Sequence, residues 1–407
     1  MYLTQEEQAM LAGKHGPALQ KAMEIVVALG KIYGAAELVP VTSAQVAGVS
    51  YKNLGQAGLD FLHEWAEQDA RVRVPTTLNP AGMDLLAWRE LGIPETFARQ
   101  QEAVVEAYRA MGISPTCSCT PYLVGNVPGY GEHVAWAESS AVSFANSVLG
   151  ARTNREGGPS ALAAALTGRT AAYGLHLDEN RLARYLVDVR CPLSSEADFG
   201  ALGYLVGKMV RNAVPYFRLS SFPASQPPSL PLKTLGAAMA ASGAVALYHV
   251  EGVTPEAQRA EMLAPNAERV VIADLSPAYA ALNAPVEQID LVSIGCPHAS
   301  LDEIAEIARA VEGRRLQAAL WITTARQIKE QTAEAGYVAM IEAAGGQVVA
   351  DTCLVVAPMD ALGFRTLATN SAKMAFYAPS HSDMQVRFSS LEQCLDAALT
   401  GRMSHKT

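Results

Sequence analysis

The sequence predicts an α/β protein built from βαβ units and parallel sheets. Short apolar runs typical of strands alternate with longer stretches typical of helices along most of the chain, and strands joined by helices form parallel sheets covered on both faces. Half of the 407 residues are hydrophobic and 17% are charged, a composition that can bury a large core and that excludes a mostly disordered chain. At roughly 100–200 residues per domain, this length predicts two or three domains or one large α/β body.

Helix signals begin at the N-terminus. Thr4 and Glu7 have the spacing of a capping box, in which each side chain satisfies a backbone amide of the first helical turn. A second helix is predicted from apolar residues at helical spacing, namely Leu19, Met23, Val26, Val27 and Gly30. Further helical stretches are predicted at 56–68, 96–111, 301–311 and 326–335.

Strand-like runs fall between these helices. They are predicted at 37–41, 71–74, 245–250, 270–273, 290–294, 319–323 and 347–350. Two segments break the alternation, a loop at 117–131 and a proline-rich stretch at 220–231. We expect the proline-rich stretch to connect two lobes, residues 1–220 and 232–407.

Charge and cysteine usage exclude several classes of protein. The net charge of −9 offers no basic surface for phosphates, so we expect no nucleic-acid partner. The N-terminus lacks a signal-peptide pattern, and the longest apolar stretches, such as 235–241, are too short for a membrane span. The six cysteines form no compact disulfide framework. We therefore expect a cytoplasmic protein that does not bind membranes, and the common nucleotide-binding, zincin and hydrolase motifs are missing.

Three cysteines share a position relative to predicted strands. Cys119 follows a short run at 113–116, Cys296 follows the strand at 290–294, and Cys353 follows the strand at 347–350. Ligands of open α/β sheets collect at the carboxyl ends of strands, so these three loops could converge. Three thiolates suit an iron–sulfur cluster, or a metal ion with one open position.

Ordinary packing is the competing interpretation for each cysteine, because free cysteine is among the most buried residue types. Cys117 shares a face with Cys119 if the chain is extended, so it is an alternative ligand. Cys394 lies on the apolar stripe of a terminal helix and is predicted to be a core residue. Cys191 fits either interpretation.

Several polar segments fit the binding of a small anion. The loops at 48–51 and 76–84 are rich in Gly, Ser, Thr and Asn, which offer amides and hydroxyls, although ordinary turns have the same composition. Arg152 and Arg155 precede a glycine pair and suit carboxylate or phosphate recognition, or else a solvated turn. Lys373 could bind a substrate carboxylate, or could simply begin a surface helix.

These segments together resemble the large subunit of aconitase X, a branch of the aconitase superfamily. The resemblance runs from Met1 to at least Lys373, and its matching segments are 43–51, 75–84, 119–122, 135–141 with Asn146-Ser147, and 150–158. It implies an aconitase-like, multi-lobed α/β body and an iron–sulfur dehydratase. The cluster, [4Fe–4S] or [2Fe–2S], would be held by Cys119, Cys296 and Cys353. The resemblance also implies substrate contacts from Gly48, Val49, Ser50, Asn79, Pro80 and Lys373.

The resemblance further implies a partner. In aconitases the catalytic base is a serine on a swivelling fourth domain, and no such domain follows Lys373 in this chain. We therefore expect a separate small subunit to supply the base, and we expect this chain alone to be inactive.

Two substrates divide the family. Bacterial members dehydrate cis-3-hydroxy-L-proline to Δ1-pyrroline-2-carboxylate, and archaeal members dehydrate mevalonate 5-phosphate. The excess of arginine over lysine and the high alanine content are typical of a high-GC bacterium. This composition therefore favours the hydroxyproline substrate of the bacterial members. A non-catalytic, cluster-containing regulatory protein and a zinc lyase using the same cysteines are the competing functions.

Overall fold

The computed structural model describes residues 1–220 and 229–403, which form a mixed α/β structure. The α-helices, in chain order, are α1 (Gln5–Leu11), α2 (Pro17–Ile32), α3 (Tyr51–Glu67), α4 (Glu95–Ala110), α5 (Ser139–Phe144), α6 (Gly158–Thr167), α7 (Glu196–Val210), α8 (Ser229–Gly243), α9 (Pro255–Arg259), α10 (Ser276–Leu282), α11 (Leu301–Val311), α12 (Arg326–Glu334), α13 (Tyr337–Ala344), α14 (Ala372–Ser382) and α15 (Leu391–Thr400). The predicted capping box of α1 is confirmed, because the Thr4 amide donates to Glu7 Oε2 (2.8 Å) and the Glu7 amide donates to Thr4 Oγ1 (3.3 Å).

The strands are short. In chain order they are β1 (Leu38–Pro40), β2 (Ala44–Val46), β3 (Thr76–Leu78), β4 (Ala135–Trp136), β5 (Arg169–Ala171), β6 (Ala183–Val189), β7 (Pro215–Leu219), β8 (His249–Val250), β9 (Leu263–Ile272), β10 (Leu291–Ile294), β11 (Ala319–Thr324), β12 (Gln347–Ala350), β13 (Thr366–Thr369) and β14 (Gln385–Phe388). Three sheets are parallel, with orders β3-β2-β4, β8-β7-β6-β9 and β12-β11-β10-β13-β14, and β1 pairs with β5 antiparallel. The prediction of an α/β fold with parallel sheets is confirmed.

The five-stranded sheet is buried on both faces, as its continuous apolar runs predict. Successive side chains of a strand point to opposite faces. Leu291 accordingly packs with helices α7, α8 and α14, whereas Val292 packs with α11, α13 and α15. A second large core lies under the three-stranded sheet, among α2, α3, α4 and α6.

Two strand predictions differ from the structure. Residues 71–74 form no strand, because the amides of Val72 and Arg73 donate to carbonyls of helical segments, Met111 at the end of α4 and Ala165 in α6. The strand of this region is β3, which follows them. Only His249–Val250 of the run predicted at 245–250 forms a strand. The helix predicted at 56–68 is the larger part of α3, whose first turn is set off by non-helical angles at Gly55.

The proline-rich stretch at 220–231 lies largely outside the described residues. Its last residues, from Ser229, begin helix α8. Strands β6 and β7 precede this stretch and β8 and β9 follow it, yet all four belong to one sheet. The division into lobes 1–220 and 232–407 stays a prediction, and the shared sheet gives it no support.

Within residues 1–220 and 229–403, none of the helices combines the length and the apolar character that a membrane span requires.

Candidate active site

The carboxyl ends of two parallel sheets meet at one place. The loops after β2, β3 and β4 come from the three-stranded sheet, and the loops after β10, β12 and β13 come from the five-stranded sheet. Hydrogen bonds join the two sets of loops: Ser50 Oγ donates to the Val356 carbonyl (2.8 Å), and the Ala81 amide donates to the Asp351 carbonyl (2.8 Å). Polar groups on these loops therefore face a shared region, the usual ligand position of parallel sheets.

Three thiols lie in this region. Cys296 follows β10, Cys353 follows β12, and Cys119 lies beside the end of β3, because the Ser118 amide donates to the Leu78 carbonyl (2.9 Å). The thiols of Cys296 and Cys353 each raise the pKa of Cys119, after the larger effects of burial and of Glu138. The structure thus brings together the three cysteines that the sequence singled out.

Polar groups near each of the three sulfurs favour negative charge on it. The His298 amide donates to Cys119 Sγ at 3.2 Å. The Ser371 hydroxyl lowers the pKa of the Cys296 thiol, and the amides of Val355 and Val356 lower that of Cys353, although burial dominates at both. Donors of this kind stabilise negative charge on sulfur and tune the metal that the sulfur ligates.

Burial opposes ionisation of these thiols. It raises the pKa of Cys353 to about 12 and raises the pKa values of Cys119 and Cys296 above the ordinary range. A strong cation displaces protons from such thiols, because a metal ligand is the thiolate.

Gly295 shapes the loop that carries Cys296. Its φ of +99° lies in the left-handed region, and a Cβ atom there would lie 2.2 Å from the Thr323 carbonyl oxygen. Only glycine satisfies both constraints without a backbone shift. The position of Cys296 beyond β10 therefore depends on this residue.

A buried ion pair spans the two sheets. Lys373 Nζ lies 2.6 Å from Glu138 Oε1 and 3.1 Å from Ser140 Oγ, and both charged side chains are about nine-tenths buried. Burial opposes the charge of Glu138, yet Lys373 and the hydrogen bonds from Ser140 and Ala141 hold the pKa of its carboxyl below the ordinary value. Burial likewise opposes the charge of Lys373, yet Glu138, Cys296 and Cys119 hold the pKa of its ammonium above the ordinary value.

A second buried ion pair also acts on Cys296. Lys233 Nζ on α8 lies 2.7 Å from Glu303 Oε2 on α11. Lys233 lowers the pKa of Cys296, as Lys373 does more strongly, although burial dominates. Two ammonium groups therefore favour negative charge at this thiol.

Arg326 connects the loop after β3 to the loop after β12. Its guanidinium contacts both Asp84 and Asp351. The Ala350 amide donates to Asp84 Oδ2 (2.9 Å), and the Leu85 amide donates to Asp351 Oδ2 (3.2 Å). This network fixes the backbone immediately before Cys353.

Three polar atoms at the site have no hydrogen-bond partner among the described residues, although they are buried. They are Asn79 Oδ1, Tyr122 Oη and Thr352 Oγ1. Buried polar groups are normally satisfied, so each unmet atom marks a place for a water molecule or a ligand.

The remaining predicted residues lie in different surroundings. The carbonyls of Gly48 and Val49 accept from Tyr108 and Gln101, so this loop is anchored on α4. Pro80 is buried beside Asn79. Arg152 is occupied by Asp178 and the His176 carbonyl, whereas Arg155 is exposed.

The thiol of Cys117 does not lie with that of Cys119 at the site. The φ of Cys117 is +44°, so the chain is not extended there, and its thiol packs in the core under the three-stranded sheet. Cys394 is fully buried among helices of the five-stranded sheet, as its apolar stripe predicts. Cys191 packs in the core beside the four-stranded sheet.

Sequence reasoning did not identify Glu138, His298, Ser371 or Tyr122 as site residues. One signal was available: Glu138 is the only charged residue in the stretch 134–147, where a carboxylate needs a buried partner. The other three carry no comparable pattern.

The donor set fits a thiolate-bound cluster. Among the residues that the structure describes, no group of three or more His, Cys, Asp or Glu side chains is placed to hold a metal ion. The fit to a cluster rests on the chemistry of the donors: three cysteine thiols on neighbouring loops, beside a lysine, are the residue types that hold an iron–sulfur cluster with three protein ligands.

Comparisons with known proteins cover nearly the whole chain. Models of the aconitase X first, second and third domains match residues 1–179, 183–278 and 289–400. The phosphomevalonate dehydratase large subunit of Methanocaldococcus jannaschii is 50% identical over 402 residues, which cover 97% of this chain and 99% of that protein. The cis-3-hydroxy-L-proline dehydratase of Pseudomonas aeruginosa is 41% identical over 408 residues, which cover 97% of this chain and 70% of that protein. The crystal structure of Thermococcus kodakaraensis aconitase X (holo-form) is similar with a TM-score of 0.90 and 49% identity, over 98% of this chain and all of that one.

Proposed function

Because the chain belongs to the aconitase X family of dehydratases, we propose that it is the large subunit of an iron–sulfur hydro-lyase acting on a small hydroxy-carboxylate. The observation that carries this proposal is the convergence of Cys119, Cys296 and Cys353 at the carboxyl ends of two parallel sheets. The three cysteines hold the cluster. When bound, such a cluster supplies an iron with an open position, which acts as a Lewis acid toward the substrate hydroxyl and carboxylate.

Lys373 orients the substrate in this proposal. An ammonium has three donors, of which Glu138 and Ser140 take two. The third donor is left for a substrate carboxylate. Glu138 fixes the ammonium in place, and a positioned cation stabilises the negative charge that develops when a proton next to the carboxylate is removed.

The loops after β2 and β3 complete the binding region. Asn79 Oδ1 is a buried acceptor without a partner in the described residues, and it serves a substrate hydroxyl or amine. Gly48, Val49, Ser50 and Pro80 form its wall, with Ser50 tied to Val356. A wall anchored in this way holds the substrate and limits access of water.

We propose mevalonate 5-phosphate as the substrate. The relative named phosphomevalonate dehydratase is 50% identical, against 41% for the relative named cis-3-hydroxy-L-proline dehydratase. In this proposal Arg155, which is exposed, binds the phosphate, whereas Arg152 is engaged by Asp178. Cis-3-hydroxy-L-proline, which the arginine-rich and alanine-rich composition favoured, is the second candidate.

A separate small subunit supplies the catalytic base in this proposal. The support is the description "large subunit" carried by the M. jannaschii relative. Location in the cytoplasm also belongs to the proposal. Because the relatives are named as dehydratases, a regulatory protein without turnover is not favoured.

The decisive experiment combines metal analysis with turnover. The chain is purified anaerobically together with its small subunit, and iron, sulfide and zinc are measured per chain. We expect iron and sulfide with charge-transfer absorption, and stoichiometric zinc without sulfide would refute the cluster. Turnover of mevalonate 5-phosphate and of cis-3-hydroxy-L-proline is then followed by product detection, with each subunit alone as the control. Full activity of the large chain alone would contradict the separate base.

A further inference from the structure

Tyr122 holds a buried hydroxyl that the proposed function does not yet use. It lies in the single turn Pro121–Leu123, three residues after Cys119. Its ring is only partly buried, but its oxygen is inaccessible to solvent and has no hydrogen-bond partner within residues 1–220 and 229–403. The side chain therefore directs its polar end inward, toward the protein.

The ring is held in one orientation. It stacks on Phe144 with ring centroids 3.8 Å apart and an interplanar angle of 13°. Phe144 ends α5, the helix whose first turn is capped by Glu138. The direction of the Tyr122 hydroxyl is thus coupled to the helix that carries the buried ion pair.

The surroundings of the hydroxyl are those of the site. The groups with the strongest electrostatic effect on Tyr122 are Cys119, Glu138 and Glu303, in that order. Both carboxylates already accept from a lysine; Glu138 also accepts from the Ala141 amide, and Glu303 from the Ser300 hydroxyl. Neither is bonded to the phenol, so its hydrogen is left to donate elsewhere.

We propose that Tyr122 contacts the substrate, its phenolic hydroxyl donating a hydrogen bond to an oxygen of the bound hydroxy-carboxylate. This inference rests on the proposed function. A buried hydroxyl without a hydrogen-bond partner is costly, and a ligand oxygen is the partner that its position at the site, three residues after Cys119, provides. The contact involves no proton transfer; it adds a neutral donor to the cation of Lys373.

The test is Tyr122→Phe in the complex of the large chain with its small subunit. Phenylalanine keeps the stacking on Phe144 and removes only the hydroxyl. Ser143→Ala is the matched control, because Ser143 Oγ is also buried and lacks a hydrogen-bond partner in the described part of the chain, but belongs to α5 and faces Gly236. We expect kcat/KM for the turned-over substrate to fall about tenfold to a hundredfold in Tyr122→Phe, and to stay within twofold of the wild type in Ser143→Ala.

Stability and metal content separate a substrate contact from a structural role. The substitution removes a buried hydroxyl that has no hydrogen-bond partner in the described residues. We therefore expect the melting temperature of substrate-free Tyr122→Phe to be unchanged or higher, and its iron content to be unchanged. The rise in melting temperature that substrate produces should be smaller than in the wild type.

Each other outcome is decisive. A wild-type complex that turns over neither mevalonate 5-phosphate nor cis-3-hydroxy-L-proline overturns the proposed function and this inference with it. Normal wild-type turnover with kcat/KM and substrate-induced stabilisation unchanged in Tyr122→Phe overturns the inference alone. A loss of activity that follows a loss of iron assigns Tyr122 to holding the cluster and likewise overturns it.

Discussion

Lys373 Nζ lies 2.6 Å from Glu138 Oε1, although the two residues belong to different sheets and are 235 positions apart in the chain. Glu138 follows β4 and caps α5, and Lys373 lies in the first turn of α14 after β13. Both charges are buried, so each is stable only in the presence of the other. The pair therefore fixes how the carboxyl edge of one sheet faces that of the other.

Removing one member of this pair should destabilise the protein strongly. We expect Lys373→Met to lower the free energy of unfolding by about 3–5 kcal/mol, because Glu138 is left as an uncompensated buried charge. The double variant Lys373→Met with Glu138→Gln should recover part of the loss, as chemical denaturation of the three variants will show. Lys21→Met removes the lysine of an exposed pair and should cost less than about 1 kcal/mol. Equal effects of the buried and exposed substitutions would contradict this account.

The cysteines should divide into two groups by metal retention. We expect Cys119→Ala, Cys296→Ala and Cys353→Ala each to lose most of the iron and sulfide after anaerobic reconstitution, because a cluster with one open iron has no spare thiolate. Cys117→Ala and Cys394→Ala should keep wild-type iron, since both thiols are core groups. Iron loss in Cys117→Ala at unchanged secondary structure would reverse the choice between Cys117 and Cys119.

Gly295 should tolerate no side chain. An alanine there would meet the Thr323 carbonyl oxygen at 2.2 Å and would also adopt a φ of +99°. Gly336→Ala has the same conformational cost, about 1–2 kcal/mol, because Gly336 has a φ of +84° but nothing within 4 Å. Gly295→Ala should be less stable than this control by thermal denaturation and should bind less iron. Equal stability of the two variants would show that the close approach is relieved at no cost.

Arg326 should act through the loop before Cys353. Arg326→Gln leaves Asp84 and Asp351 without their guanidinium, and we expect a loss of about 3–5 kcal/mol in the free energy of unfolding. Arg99→Gln breaks an exposed pair with Glu95 and should change it by less than about 1 kcal/mol. Urea denaturation of both variants checks the difference. A stable Arg326→Gln protein would show that the backbone hydrogen bonds alone hold the two loops.

Glu196 should give the stability a pH dependence. Burial first, and then the Glu303 carboxylate, raise the pKa of Glu196 from 4.5 to about 7. The folded protein therefore binds more protons than the unfolded chain between these values, so the free energy of unfolding falls as the pH rises from about 4.5 to 7. Glu196→Gln should remove this fall and should be more stable than the wild type at pH 8, on the order of 1–3 kcal/mol. Glu392→Gln, at an exposed first-turn position of α15, should leave the profile unchanged.

The sequence predicted three strands of the five-stranded sheet, β10, β11 and β12, but missed β13 and β14, and it predicted no strand of the three-stranded sheet. The runs at 347–350 and 301–311 coincide with β12 and α11, because a short apolar run next to glycines and an amphipathic helix are both recognisable patterns. Strands β2, β3 and β4 have two or three residues each, which is too short to show any period, and the strand placed at 71–74 was wrong.

The thiols could be grouped from the sequence because each follows a strand-like run. The ion pairs could not, since one sequence does not show which residues meet across 235 positions. The same difficulty applies to Arg152. It forms an ion pair with Asp178, and the sequence does not show that these two residues meet. The backbone turn at Cys117 could not be predicted either, since a positive φ at a cysteine has no sequence signature.

Because the site lies where two sheet edges meet, it forms only when most of the chain has been synthesised. Lys373 and the loop bearing Cys353 leave the ribosome long after Glu138 and Cys119, and the site is absent until these late segments pack on the early ones. Contacts of such sequence separation form slowly. The cluster that we propose for the three thiols would therefore be inserted after synthesis, and truncated chains that end before α14 should be unable to accept it.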